Sequence, residues 1–444
     1  MEKKTVATKQ LTFKDLLFTG IGLTIGAGVV STVGPAIGAT GRSAWLAYMV
    51  SIIVGAFTTF PAAIFSSTFR VKGGVYTCLR NTLGDNVAGI YICMNILMGF
   101  NFATFAIASG AYISGLIPGV DARLVAVLVL VAFYLLNIRG LNVFVKVQTY
   151  MSYLLLAALI IFGVYGLFNL DSAVFNLSAP DFMMNGGSGF LQAVTMFMFS
   201  TVAYSVLLNF SGNAENPKRD IPRAMLGTII TIAVVYFLVS VTACGVLPVE
   251  EVAGQMLTVV AQKLWPGVGA VFFVIAGPLM ALFTTLNGNF ANMAAPHLSA
   301  ARDGWWPKLM AKTNKWGSPY MVYTVCFVIA LIPIVFNYSV SEIVGNMVII
   351  FQVNSLFSSI ACYTVPVKYP EAWAKSTLHM PKPLFYLLNI ISTIAVLYAA
   401  YVQIGTLRPL VLAVTFIGYA IVIAFTQYRR KKGYVQMSEK VEFE

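Results

Sequence analysis

The chain has 444 residues, of which 59% are hydrophobic and only 10% charged, whereas ordinary soluble domains carry roughly 25% charged residues. So few charges exclude a water-covered globular fold. The net charge of +12 would suit a nucleic-acid partner, but the 28 Lys and Arg residues follow the flanks of apolar segments and form no basic patch, which makes the lipid bilayer the expected partner.

A helix needs roughly 20 mostly apolar residues to cross the hydrocarbon core. Windows of that length predict twelve spans, over 15–36, 43–66, 86–117, 121–138, 147–169, 190–212, 225–248, 266–301, 320–336, 342–367, 383–403 and 409–427. The stretches between them are short, the longest being 170–189, 249–265, 302–319 and 368–382, so no soluble domain is expected.

Span 1 contains Gly20-Ile-Gly-Leu-Thr-Ile-Gly-Ala-Gly28, four glycines in nine residues, each disfavouring helix by roughly 1 kcal/mol relative to Ala. One reading is a break between Thr24 and Gly28, whose freed N–H groups and carbonyls would receive a zwitterion. The other is close packing, since Gly22 and Gly26 form a small-xxx-small pair. A third reading, a phosphate-binding loop, is weak, because no strand precedes it and the lysine of a P-loop is missing.

Span 6, through Phe199-Ser-Thr-Val-Ala-Tyr-Ser205, also reads as interrupted, and Ser200, Thr201 and Ser205 can satisfy the backbone groups that a break frees. Interrupted spans in corresponding positions of two halves point to a transporter's central site. Spans 1 and 6 stand five apart, which predicts two five-helix repeats, 15–169 and 190–367, followed by two additional helices over 383–427.

Span 8 carries Thr284, Thr285, Asn287, Asn289 and Asn292, while spans 3 and 10 carry Asn101, Gln352 and Asn354. Each can contact a solute or hydrogen-bond between helices, the latter worth about 0.6 kcal/mol on average. His297, near the end of span 8, reads as structural, with proton coupling as the alternative. Cys78, Cys93, Cys244, Cys326 and Cys362 show no pairing pattern and are expected to be buried thiols.

With the N-terminus cytoplasmic, 24 of the basic residues fall on inner segments and four (Arg42, Arg123, Lys263 and Arg408) on outer loops. That asymmetry predicts both termini in the cytoplasm. The start of the chain lacks a small-residue cleavage site and is read as having no removable signal peptide. No Lys or Arg stands in mid-span, and the 16 carboxylates fall at ends and loops. The path is therefore expected to be neutral, with no cofactor, no metal cluster and no enzymatic centre; the absence of a nucleotide-binding domain argues against an ATP-driven pump.

Three motifs carry a family resemblance. Gly22-Leu-Thr-Ile-Gly-Ala-Gly-Val-Val30 with Gly34-Pro35, Glu215-Asn-Pro-Lys-Arg-Asp-Ile-Pro-Arg223 and Ala300-Ala-Arg-Asp-Gly-Trp-Trp-Pro-Lys308 resemble, in order and separation, those of the amino acid-polyamine-organocation superfamily. The resemblance implies an all-α membrane protein of twelve transmembrane helices: two inverted five-helix repeats plus two additional helices, with helices 1 and 6 interrupted. It also implies a solute carboxylate on the N–H groups of Gly26, Ala27 and Gly28, and a solute amino group on the carbonyls of Thr24, Ile25, Phe199 and Val202. Phe199 corresponds to an aromatic lid, Ala203 stands where a glycine is common, and Ser205 stands where relatives carry an acidic or small residue. Asn289, then Asn101, would meet the solute side chain.

Leu155 occupies the position of a span 5 lysine found in proton-coupled and exchanging relatives, which disfavours a lysine-centred mechanism. A sodium site using Thr284 or Thr285 remains chemically open. Without a buried carboxylate or arginine, the expected solute is a small neutral amino acid or related amine, moved by exchange or facilitated diffusion. The alternatives are a sodium- or proton-coupled symporter and, in another class, a non-transporting nutrient sensor. Compact tails and loops suggest a bacterial inner membrane; the oligomeric state is left open.

Overall fold

The computed structural model describes residues 10–198, 200–405 and 407–436, the side chains of Ala27, Ser341, Glu342 and Asn346 excepted. Among these residues the regular structure is helical, with one isolated bridge pairing Leu11 in parallel with Ala214. Helix α1 (Phe13–Thr24) starts at a capping box: Asp15 N–H donates to Thr12 Oγ1 at 3.3 Å, and Thr12 N–H donates to the Asp15 carboxylate at 3.0 Å. Two orphan donors are thereby satisfied. The helix stops at Ile25 (ψ 72°), and α2 (Ala27–Thr40) restarts after extended Gly26.

The chain turns at Gly41 (φ +76°) into α3 (Ala44–Thr58), kinks at Thr59 and continues as α4 (Phe60–Thr68), with Pro61 in its first turn. Helix α5 (Gly74–Leu83) follows, then α6 (Asp85–Asn95), a 3₁₀ turn, α7 (Phe100–Leu116), α8 (Ala122–Ile138) and α9 (Leu141–Leu167). Helix α10 (Gly186–Met198) gives way to a 3₁₀ segment, Ala203–Asn213, before α11 (Pro217–Gly245). Two short helices, α12 (Val249–Val252) and α13 (Thr258–Leu264), precede α14 (Val268–Val274), a π turn around Pro278, and α15 (Met280–Arg302). The rest comprises α16 (Tyr320–Val335), α17 (Val340–Cys362), α18 (Val365–Lys368), α19 (Pro370–Ala374), α20 (Lys382–Gly405) and α21 (Pro409–Lys431).

Among the described residues, nine helical stretches are long and apolar enough to cross a membrane, and α8 and α16 are shorter apolar helices. The first stretch, Phe13–Thr58, has 46 residues, about 70 Å of helix at 1.5 Å per residue, and is bent at Gly26 and Gly41. Helix α1 packs against α9, α11 and α15, while α2 and α3 pack against α10. Helix α21 buries only Thr426, leaving Leu410, Val414, Phe416, Ile417 and Ile421 exposed. An apolar exterior of this kind marks a surface that meets something other than water, here the bilayer.

The five cysteines are free and buried. Helix α5, which the span analysis did not anticipate, is buried through Tyr76, Cys78, Leu79 and Arg80. The Ala300–Lys308 motif anchors it: Asp303 accepts from Tyr76 Oη at 2.7 Å and from Arg80 Nη1 at 3.1 Å. Burial, with the Asp303 charge as second cause, raises the Tyr76 pKa, so the phenol stays protonated and donates. Arg429 donates twice to the Gly304 carbonyl, tying α21 to the same corner. The Glu215–Arg223 motif likewise joins segments: Leu11 N–H donates to Asn213 O and Glu215 N–H to Leu11 O, which docks the entry to α1 beside the start of α11.

Candidate functional site

The two interruptions lie against each other: a Cβ at Gly28 would stand 2.4 Å from Ser200 Cβ. At the first, the N–H groups of the opening turn of α2 have no partner within their own helix and carry the positive end of its dipole. Gly26 N–H is not among the open donors, because it donates to Thr24 O at 2.9 Å. The N–H groups that follow it in the opening turn are those of Ala27, Gly28 and Val29. At the second, Ser200 N–H turns back to Phe197 O, and the backbone then winds into the 3₁₀ segment at Ala203.

Tyr236 of α11 joins the two. Its hydroxyl lies 3.0 Å from Thr24 O and 3.0 Å from Ser200 O, sharing one hydrogen between the carbonyls at both breaks. Tyr48 of α3 stacks on Tyr236 (centroids 4.4 Å apart) and on Phe197 (3.8 Å), and its hydroxyl is 2.8 Å from Ser200 Oγ. Neither tyrosine was expected from the sequence; an aromatic residue in an apolar span carries no local signal of its orientation.

The glycines of α1 and α2 serve both readings proposed for them. A Cβ at Gly22 would lie 2.4 Å from Gln148 Nε2 and 2.5 Å from Ser152 Oγ, so this glycine is a packing notch against α9. One at Gly26 would meet Thr285 Oγ1 at 2.5 Å, and one at Gly28 would meet Ser200 Cβ at 2.4 Å. Glycine therefore permits the break and, at the same positions, lets α15 and the second interruption approach it.

Beside the breaks lies a cavity of ≈ 250 Å³. Of the candidate residues, Thr24, Gly26, Gly28, Asn101, Val202, Ala203, Ser205, Thr285 and Asn289 line it. Ile25 is fully buried away from it, and Thr284 is buried with its hydroxyl donating to Met280 O and Ala281 O. Phe199 and the Ala27 side chain lie outside the described residues. The lining among the described residues includes no charged side chain.

The remaining span polar groups divide by position. Asn287 is fully buried and bridges helices, accepting from Asn137 Nδ2 at 3.0 Å and donating to Gln148 Oε1 at 2.8 Å. Asn292 lines the cavity at its floor, where it accepts from Asn209 Nδ2 at 2.6 Å while Asn209 Oδ1 accepts from Val75 N–H at 2.9 Å. His297 is fully buried beyond that floor, its Nε2 3.2 Å from Asn95 Oδ1. Thr285 Oγ1 donates to Ala281 O at 2.9 Å and lies 3.3 Å from Gly22 O. Chemically, the site offers backbone N–H groups for an anionic end, polar carbonyl and amide groups around them, and an otherwise apolar neutral wall.

Comparison with known proteins agrees with this architecture. The sequence profile described as amino acid permease matches residues 11–426. The chain is 25% identical over 337 residues to the branched-chain amino acid permease BcaP of Bacillus subtilis, covering 69% of this chain and 70% of that protein. It is 23% identical to the cationic amino acid transporter 3, mitochondrial, of Arabidopsis thaliana (81% of this chain, 63% of that protein) and 23% identical to the methylthioribose transporter of B. subtilis (70% and 71%). With the broken first helix, the matching motifs and a profile that spans nearly the whole chain, the protein belongs to the amino acid permease family of the amino acid-polyamine-organocation superfamily.

Proposed function

We propose that the protein is a secondary transporter of small neutral amino acids or related amines, working by exchange or facilitated diffusion. The observation that carries this reading is the pair of neighbouring interruptions beside a cavity whose lining, among the described residues, has no charged side chain. A zwitterion satisfies both breaks at once: its carboxylate meets the N–H groups of Ala27, Gly28 and Val29, and its ammonium takes the Thr24 or Ser200 carbonyl from Tyr236. Phe199, Val202, Ala203, Ser205, Asn101 and Asn289 complete the proposed site. Among the described lining residues a cationic side chain would lack a carboxylate partner and an acidic one an arginine, and an unpaired buried charge is strongly disfavoured.

The twelve-span reading follows the same logic. The 46-residue stretch Phe13–Thr58 divides at Gly41 into two crossings, and the shorter α8 and α16 each add one. Two inverted repeats, 15–169 and 190–367, then place the breaks of spans 1 and 6 in equivalent positions, with both termini cytoplasmic and the protein in a cell membrane such as a bacterial inner membrane. Relatives named for branched-chain amino acids, cationic amino acids and methylthioribose make the solute itself the quantity to measure.

Uptake of labelled Ala, Ser, Leu, Gln, Arg and Glu into proteoliposomes, with and without internal amino acid, tests this reading. Neutral solutes should enter, faster when the same solute is inside; strong transport of Arg with none of the neutral set would sink it, and saturable binding without flux would favour a sensor. A sodium-dependent second reading has one observation in its favour, the closeness of Thr285 Oγ1 to the Gly22 carbonyl, because sodium requires oxygen ligands. Imposing a sodium gradient in the same assay separates the two readings.

Tyr236→Phe should lower neutral amino acid uptake about tenfold, the effect of losing roughly 1.4 kcal/mol at the transport barrier, and should also lower the melting temperature, because the two buried carbonyls lose their shared donor. Loss of one hydrogen bond is of that order, while the ring and its stacking on Tyr48 remain. Uptake equal to wild type would mean that the link between the breaks has no part in transport.

A further inference from the structure

The segment that follows α21 folds back onto the molecule. Gly433 (φ +70°) turns the backbone, and Tyr434 N–H donates to Arg429 O at 3.1 Å. The turned segment then lies across Gly304 of the Ala300–Lys308 motif. Gly304 has φ +88°, a conformation that favours glycine, and a Cβ there would strike the Tyr434 carbonyl oxygen and stand 3.2 Å from Val435 Cα. Both neighbours are backbone, so position 304 admits the contact only without a side chain. Arg429 fastens it: the guanidinium that donates to the Gly304 carbonyl also lies 5.1 Å from the centroid of the Tyr434 ring. Val435 packs against the main apolar core.

From this corner a line of contacts leads to the cavity. Asp303, next to Gly304, holds Tyr76 and Arg80 of α5. The first turn of α5 rests on Asn209: at Gly74 (φ +57°) a Cβ would stand 2.7 Å from Asn209 Cα, and Val75 N–H donates to Asn209 Oδ1 at 2.9 Å. Asn209 in turn donates to Asn292, and Val75, Asn209 and Asn292 all line the cavity. The segment after α21 thus bears on the helix whose first turn helps to form the cavity floor. Its contact with the α5 corner also puts the two on one face of the molecule, as the proposed cytoplasmic placement of both requires.

Resting on the transporter reading above, we infer that residues 433–435 are a strap that holds α5 against Asn209 and so favours the state in which the cavity floor is shut. The strap is lightly held, with Tyr434 54% exposed, and segments with little burial open locally at low free energy. Helix α5 keeps its own buried Tyr76 and Leu79 when the strap lifts, so release loosens the floor without unfolding it. Contacts made in only one of two states shift their populations by the free energy of those contacts. Strap contacts on the Gly304 corner are of this kind, because they require that corner, and α5 with it, to be in place.

The test places a reporter in the cavity, Ser205→Cys, and measures its labelling by a membrane-impermeant maleimide on inside-out vesicles. The same chain without the reporter gives the background of the five buried thiols. Deleting residues 433–444 should raise the labelling rate about fivefold or more, within the ordinary range of coupling between two states. In chains without the reporter, the KM for solute added outside should rise by a similar factor, because the state open to that side is less populated. Arg429→Gln, which removes the fastening, should move both readings in the same direction by at least about twofold. Labelling of the deletion variant that is unchanged or slower overturns the strap and leaves the transporter reading standing. Faster labelling with no flux of any amino acid supports the strap and overturns the transporter reading. Should the deletion variant fail to fold, as judged by gel filtration, Arg429→Gln decides by the same labelling rate.

Discussion

Replacing Gly28 with alanine is expected to reduce uptake at least 100-fold while the protein still inserts and purifies as a monodisperse species. A Cβ at this position would stand 2.4 Å from Ser200 Cβ and 3.2 Å from Ser200 Cα. The second of these is backbone, so no flexible side chain can swing aside, and the two interruptions must move apart. Overpacking of this kind is disfavoured by about 1–3 kcal/mol, which a large membrane protein can absorb. The site cannot, because a displacement of ~1 Å in a positioned constellation is worth about 100-fold in rate. Gly38→Ala is the matched control on the same helix: its Cβ would meet nothing closer than 3.6 Å, and uptake should stay within twofold of wild type. Equal loss in both variants would mean that helix propensity, and not contact between the breaks, is at work.

The second large effect is on stability. Asp303→Ala should lower the unfolding free energy by about 3 kcal/mol, read as an earlier midpoint in denaturant titration. Asp303 and Arg80 have side-chain exposures of only 2% and 7%, and removing one partner of such a pair leaves an uncompensated buried charge. Arg80 keeps a 3.7 Å approach to Asp85, which holds the effect near the lower end of the ~3–5 kcal/mol range for broken buried pairs. Asp303→Asn retains an acceptor for Tyr76 and should fall between wild type and the alanine variant. An unchanged midpoint for Asp303→Ala would show that α5 is held by its apolar contacts alone.

What the sequence could and could not reveal follows from which residues carry local signals. The first interruption was legible as one of two readings, because four glycines within one apolar span either break the helix or let its neighbours pack closely, and here they do both. The local turn there, in which Gly26 N–H donates to Thr24 O, is not encoded by glycine density. The second interruption was legible only through its polar Ser200, Thr201 and Ser205; the conversion to a 3₁₀ segment at Ala203 leaves no compositional trace.

Long-range partners were the illegible part. Asp303 reads as an ordinary loop charge until the fold brings Tyr76 and Arg80 to it from 227 and 223 residues away. Helix α5 escaped detection because its ten residues include Arg80, Asn81 and three threonine or tyrosine side chains, a composition that resembles a loop between spans. Tyr48 and Tyr236 look like any aromatic residue in the bilayer. The polar set of span 8 could be named but not sorted: only the structure separates Asn287, which bridges helices, from Thr285, Asn289 and Asn292, which line the cavity.

Determining the structure with a neutral amino acid bound tests the central claim most directly. The proposal predicts the solute carboxylate within about 2.7–3.2 Å of the N–H groups of Ala27, Gly28 or Val29, and its ammonium at the Thr24 or Ser200 carbonyl with Tyr236 turned away from that oxygen. A solute bound elsewhere, for example in the apolar groove between Ile161, Trp265 and Phe272, or bound in the cavity with its carboxylate directed away from α2, would contradict it.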